Sequence, residues 1–269
     1  MNKNLKKIKK ILTKEELGYL PASLTYYFVL AIIPILTLTV LIASSFNISI
    51  EQVGELISEI LPYKASNFII EVISGKGFDG NIGVFNLIAF LIATNGTHAI
   101  IKAANNLYKI KDTDIIKDRI KSVVLLVNIL LLLVFLMLVP VFGKNILSMI
   151  QNSKYFSNLT DNILFVFNLI KWPFSFIIIL INIKLLYTIA PSRTIASKHT
   201  TLGALITTTL WIGSSVIFGY YLKYFANYDI LYGNLSSIII LMIWLYVIAF
   251  VFVLGMIINT IYYKEEIKE

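Results

Sequence analysis

In the stretch IATNGTHAIIKAANNLYKIK, Asn95, His98, Lys102, Asn105 and Asn106 follow directly on an apolar run. At 100° per residue they fall within an arc of about 100° on one side of a helix. Amide, imidazole and ammonium groups in such a stripe can all donate hydrogen bonds to an anionic or neutral polar group. A stripe turned to acyl chains would leave those groups unsatisfied, so it is expected to face other helices or a shared interior. For Lys102, Asn105 and Asn106 a simpler reading exists: a lysine near a helix end snorkels and asparagines there meet headgroups.

A second stripe repeats the device, since Asn168, Lys171, Ser175 and Asn182 share one face. Lys171-Trp172-Pro173 also fits an interfacial belt, with the span beginning there. An earlier apolar segment carries Ser23, Tyr26, Tyr27, Pro34 and Thr37 on one side, and Pro34 frees a backbone carbonyl. Arg193 is one of only two arginines and lies between apolar segments, where a guanidinium suits bidentate phosphate contact. The expected substrate-binding set is therefore Asn95, His98, Lys102, Asn168, Lys171, Ser175, Tyr26 and Arg193.

The elements that position these residues follow from composition. At 58% apolar and 14% charged residues, with a mean hydropathy of +0.82, the chain is an all-α integral membrane protein. Apolar segments near 25–45, 82–104, 122–142, 164–187, 201–222 and 235–262 predict a bundle of six spans. One membrane domain over 1–269 accounts for the length. Residues 1–20 read as a cytoplasmic amphipathic segment, with Leu5, Ile8 and Leu12 on one face among lysines. A cleaved signal peptide fits less well, because the following apolar stretch is too long for an h-region. Residues 50–80 read as an extracytoplasmic loop holding an amphipathic helix, with Val53, Leu56, Ile57 and Ile60 opposite Glu51, Glu55 and Glu59. That helix is expected to lie flat outside.

Most of the 23 Lys and Arg fall in the N-terminal tail, in 102–121, in 184–198 and at the C-terminal end. The positive-inside rule then puts both termini in the cytoplasm. All fifteen acidic residues are expected in tails or loops, which disfavours carboxylate-coupled proton or cation transport. The chain has no Cys, and His98 and His199 lie far apart with no hydrolase, metal or P-loop motif near either. No catalytic residue, metal ligand or cofactor is expected, and the chain reads as a non-enzyme. The charge of +8 is explained by topology and not by nucleic acid. Membrane lipids are the expected partners, with envelope proteins a second class.

PASLTYYFVLAIIPILTLTVLI at 21–42, NIGVFNLIAFLIATNGTHAIIKAANNLYKI at 81–110 and the segment 186–260 together carry a recognisable order of marks. These are Ala22 with Tyr26-Tyr27 and Pro34, Asn105 or Asn106 before Tyr108, Pro191 with Arg193, and Gly203-Ala204. Tyr232-Gly233-Asn234, Trp244 with Tyr246, and Leu254-Gly255 complete them. In these the chain resembles the YihY/BrkB family of bacterial inner-membrane proteins, once labelled ribonuclease BN. The resemblance implies six spans with both ends inside and a cytoplasmic-membrane location. It links the chain to envelope integrity, to serum resistance as a virulence factor and, in one branch, to movement of lipid precursors. The nuclease label looks like a misattribution. One departure stands out: the family often continues Leu-Gly-Ala-Glu where this chain has Leu254-Gly255-Met256-Ile257.

The expected activity is thus transport or flipping of an amphipathic, anionic, lipid-like substrate. The alternatives are a non-transporting scaffold that recruits envelope machinery and, more remotely, a membrane-bound ribonuclease. Several marks also suit structure alone. Gly233 can take a positive φ before the last span, and Asn234 can cap it. Gly203-x-x-x-Thr207 and Ser215-x-x-x-Gly219 predict close helix contacts.

Overall fold

A computed structural model describes residues 15–44, short pieces between 52 and 70, and residues 82–151, 160–224 and 228–266. The side chains of 71–86 and 137–172 and all of 1–14 lie outside the described residues. Six long helices carry the chain: α1 (Glu16–Ser44), α2 (Ile82–Tyr108), α3 (Ile115–Gln151), α4 (Thr160–Ile189), α5 (Thr201–Tyr224) and α6 (Ser236–Glu266). No strand occurs among the described residues. Five helices are long and apolar enough to cross a bilayer over Glu16–Ile42, Leu87–Tyr108, Ile115–Leu136, Ser197–Tyr224 and Ser236–Tyr263. In α4 the described apolar part, Pro173–Ile189, is shorter, although the helix itself runs for 30 residues. The fold is that of an all-α membrane protein.

Local chemistry sets the helix ends. Asp114 caps α3, its Oδ1 accepting the Ile116 and Lys117 amides at 3.0 and 3.2 Å. The Lys117 amide above all, with its ammonium and the Ile116 amide, holds the Asp114 carboxyl below the usual carboxylate range. At the end of α2 the Lys109 amide bonds the Asn106 carbonyl and the Ile110 amide bonds the Asn105 carbonyl, at 3.0 and 2.9 Å. This Schellman closure puts Lys109 at φ 59°, a left-handed position that glycine fills most easily. Lys109→Gly relieves about 1–2 kcal/mol of left-handed strain against about 0.4–1 kcal/mol of added unfolded-chain entropy, so a net gain of up to about 1 kcal/mol is expected in heat-challenge assays in detergent.

Each helix packs on its sequence neighbours, and α6 returns to α1 and closes the bundle. The spans of α2 and α6 are each 56% buried against 28% for α3 and α5, so α2 and α6 form the centre. Around them Leu24, Ile101, Leu107, Leu125, Ile183, Tyr187, Phe252 and Met256 make the main core. A second cluster gathers Leu36, Val40, Phe218, Leu241 and Leu245 with Val53 and Ile57. Of the helix expected to lie flat outside, Val53 and Ile57 turn into the bundle, while Leu56, Ile60 and the glutamates Glu51, Glu55 and Glu59 lie outside the described residues. Val53 and Ile57 gain burial there that a bilayer surface would give only in part.

Close approaches occur where side chains vanish. At Gly96 an added Cβ would sit 2.7 Å from the Ala31 Cβ, so α1 and α2 meet there. At Gly203 it would strike Asn259 and the Gly255 carbonyl, and at Gly255 it would strike Thr207 and the Tyr187 hydroxyl. The Gly203-to-Thr207 contact is as the spacing predicts. Gly219 differs, with nothing within 4 Å of its would-be Cβ, because that face of α5 is turned outward. Gly233 takes φ 51° before α6, as expected, while the Asn234 side chain is outside the described residues.

Candidate functional site

The inward face of α2 is made of small residues. Ala93, Gly96, Thr97, Ile100, Ala104 and Leu107 are buried and centre about 180° from Asn95 and Lys102. Close packing of helices in lipid favours this arrangement, since small residues let backbones approach. The polar stripe is thus displaced to the outside: Asn95, Lys102 and Asn106 are exposed, and His98 is partly buried at the edge. The interior orientation expected for Asn95 and Lys102 is not what the bundle adopts.

Before Asn95 the same outward face of α2 carries Leu87, Ile88, Leu91 and Ile92, all exposed and suited to acyl chains. It then changes to Asn95, Lys102 and Asn106 over about 16 Å of helix. Arg119 of α3 lies beside this strip and donates from Nη1 to the Asn95 Oδ1 at 2.9 Å. Around Arg119, Ile115 and Ile116 are 76% and 73% exposed, and Ile120 and Val123 are exposed as well. These apolar side chains flank the guanidinium at the start of α3. His98 is within electrostatic reach of Arg119, of Lys102 and of the Asp118 carboxylate. Among the described residues no carboxylate pairs with Lys102 or Arg119, whereas Lys117 pairs with Asp114 at 3.4 Å. Asn95, His98, Lys102 and Arg119 therefore form a polar, cationic seam between α2 and α3 on the outer side of the bundle.

Behind the seam runs a hydrogen-bond chain. The His98 Nδ1 is 3.2 Å from the Ser122 Oγ, whose proton is committed to the Asp118 carbonyl at 2.8 Å. The ring must then donate from Nδ1, and Nε2 keeps the lone pair when the ring is neutral. Thr97 donates to the Ser122 carbonyl at 2.7 Å. The Asp118 carboxylate accepts from the Ser192 hydroxyl at 2.5 Å, and Asn105 grips Ser192 twice, donating to its Oγ at 2.6 Å and accepting its amide at 2.8 Å. Lys121 donates to the Pro191 carbonyl at 2.6 Å. Asp118, expected in a loop, is in the first turn of α3 and only 6% exposed. Ser192 satisfies it there, with Lys121 close by.

The other expected residues are dispersed. Asn182 is buried and donates to the Asn128 carbonyl of α3 at 2.9 Å, so α3 lies between α4 and the α2 stripe. Ser175 is partly buried, and the side chains of Asn168 and Lys171 are outside the described residues. Tyr26 is exposed on α1, edge-to-face with Tyr27. Arg193 is exposed beyond α4, at the end of the bundle where the α2–α3 and α4–α5 connections meet. Sequence reasoning missed Arg119, Ser122 and Ser192 as partners. The Ala89, Ala93, Gly96, Ala103 and Ala104 series was the available signal for which face turns inward.

The virulence factor BrkB family matches residues 10–269. The ribonuclease-like protein YfkH of Bacillus subtilis is 30% identical over 250 residues, covering 91% of this chain and 90% of that protein. A UPF0761 membrane protein of Coxiella burnetii is 32% identical over 103 residues, 35% of this chain and 37% of its own length. One from Tolumonas auensis is 40% identical over 74 residues, 28% and 24% of the two chains. No solved structure matches. With nearly its whole length matched, the chain belongs to the virulence factor BrkB family.

Proposed function

We propose that this protein moves an anionic, amphipathic, lipid-like molecule across or within the bacterial cytoplasmic membrane, in the orientation with both termini cytoplasmic. The carrying observation is the seam: the Lys102 and Arg119 charges and the Asn95 amide lie on the outer side of the bundle beside His98, while the nearby Asp118 carboxylate is turned inward to Ser192. A phosphate-bearing headgroup supplies the missing counter-charge while its acyl chains stay in the bilayer. The polar strip ends near Asn95, so a headgroup is drawn about halfway along α2 before it meets the apolar face at Ile92. Moving it further requires α2 and α3 to part. A scaffold acting through the 50–80 segment is less well supported, because Val53 and Ile57 are spent inside the bundle. The nuclease name of the Bacillus relative is matched in the seam by a single basic atom, the His98 Nε2, and no group of His, Asp or Glu able to hold a metal occurs among the described residues.

The test is protein-dependent translocation of a fluorescent phosphatidylglycerol in reconstituted vesicles. Lys102→Gln and Arg119→Gln are surface changes and should leave the protein folded. Each should slow translocation on the order of tenfold, the loss of one charge-assisted contact of roughly 1.5 kcal/mol. Translocation that is absent, or equally fast in the double variant, would dismiss the proposal.

A further inference from the structure

At the basic end of the bundle a half-open cleft of about 560 Å³ is lined by Tyr108, Lys109, Lys111, Ser192, Arg193 and Tyr263, with Asp112 and two isoleucines completing it. It lies outside the lipid-facing seam and is built from the end of α2, the α2–α3 connection, the α4–α5 connection and the end of α6. Three cations and one carboxylate give it a net positive wall. Its volume is in the range of small-molecule sites, far larger than one inorganic anion requires.

Two details mark it as more than a gap between loops. The Tyr108 hydroxyl is buried and has no hydrogen-bond partner among the described residues, although its ring is fixed edge-to-face on Tyr263 at 5.7 Å. A buried, unpaired hydroxyl costs about 1–3 kcal/mol, so an acceptor brought into the cleft removes a standing penalty. Lys109 meanwhile holds the left-handed conformation that glycine would take without strain, which keeps an ammonium at the lip. Tyr263 also meets the His199 ring edge-to-face at 5.3 Å, so the aromatic wall is braced from both sides.

We infer that this cleft is a binding site for a soluble phosphomonoester with an organic body, of the size of a sugar or nucleoside phosphate. Arg193 offers the planar fork that fits phosphate, and Lys109 and Lys111 offer point charges. Tyr108 donates its hydroxyl, and the Tyr263 ring borders the organic body. The site stands independently of lipid movement, since none of its residues belongs to the seam.

The experiment uses the full chain in phosphatidylcholine nanodiscs, with ribose 5-phosphate and AMP as probes, ribose and adenosine as their unphosphorylated controls, and inorganic phosphate alongside. Equilibrium dialysis should show the two phosphomonoesters bound more tightly than the controls and than inorganic phosphate, with affinity falling as salt rises. Arg193→Gln and Lys111→Gln should each weaken binding about tenfold. Tyr108→Phe should weaken it severalfold without lowering the melting temperature of the unliganded protein, since no bond is lost; a merely structural tyrosine would show no such split. Equal binding of phosphorylated and unphosphorylated probes, or undiminished binding by the Arg193→Gln/Lys111→Gln variant, overturns the site. Binding only of phosphatidylglycerol added to the nanodisc, lost in that same variant, also overturns it by assigning the cleft to a lipid headgroup.

Discussion

Alanine at Gly203 or Gly255 is expected to destabilise the protein clearly, whereas alanine at Gly213 or Gly219 is expected to be neutral or mildly stabilising. All four are glycines of helix interiors, and in each the change gains up to about 1 kcal/mol of helix propensity. The difference lies in what the new methyl meets. At Gly203 it meets the Gly255 carbonyl and Asn259, and at Gly255 it meets Thr207 and the Tyr187 hydroxyl. A backbone carbonyl has no rotamer into which to retreat. Tyr187 is held by bonds to the Thr207 hydroxyl and the Phe252 carbonyl, both 2.7 Å, and Asn259 accepts the Gly203 amide at 2.8 Å. Overpacking of about 1–3 kcal/mol, joined to disruption of these bonds, outweighs the propensity gain. At Gly213 and Gly219 none of the described residues lies within 4 Å of the new methyl, and only the gain remains. The fraction of protein surviving a heat step in detergent measures this; equal loss at all four positions would contradict the α5–α6 packing.

The neighbouring asparagines 105 and 106 should behave oppositely on replacement by leucine. Asn106 makes one exposed bond to the Tyr19 hydroxyl at 3.0 Å, and its loss should cost under about 0.5 kcal/mol. Asn105 is buried and binds Ser192 through both amide atoms, so leucine strands the Ser192 amide and frees the hydroxyl that bonds Asp118. Interhelical bonds within lipid average only about 0.6 kcal/mol, because the alternative state also finds partners. Here two bonds go at once beside a buried carboxylate, and a cost of about 1–3 kcal/mol is expected. Thermal stability of the two variants, measured side by side, decides it.

Helix positions and the membrane class were legible because continuous apolar runs need no partner to be recognised. The closeness of α5 and α6 was legible too, from Gly203 and Thr207. What failed was the facing of α2. A polar stripe in a membrane helix is expected to point inward, because lipid would reject it. Ala93, Gly96 and Ala104 had the stronger claim on the centre, since no polar side chain lets α1 approach as near as Gly96 does. Asp118 was hidden for another reason. It lies only four residues after Asp114 in a charged stretch, and its burial depends on Ser192, far away in sequence. The same distance concealed the cleft, whose walls come from three separate stretches of chain.

The change on the outer side of α2 between Ile92 and Asn95 bears on the surrounding bilayer. From Ile82 to Ile92 the helix measures about 16 Å, roughly half of an ordinary hydrocarbon layer. On this flank a bilayer that dips or thins keeps water and headgroups beside Lys102 and Arg119. The protein therefore sits in a lopsided collar of lipid, under less strain in short-chain membranes than in thick ones.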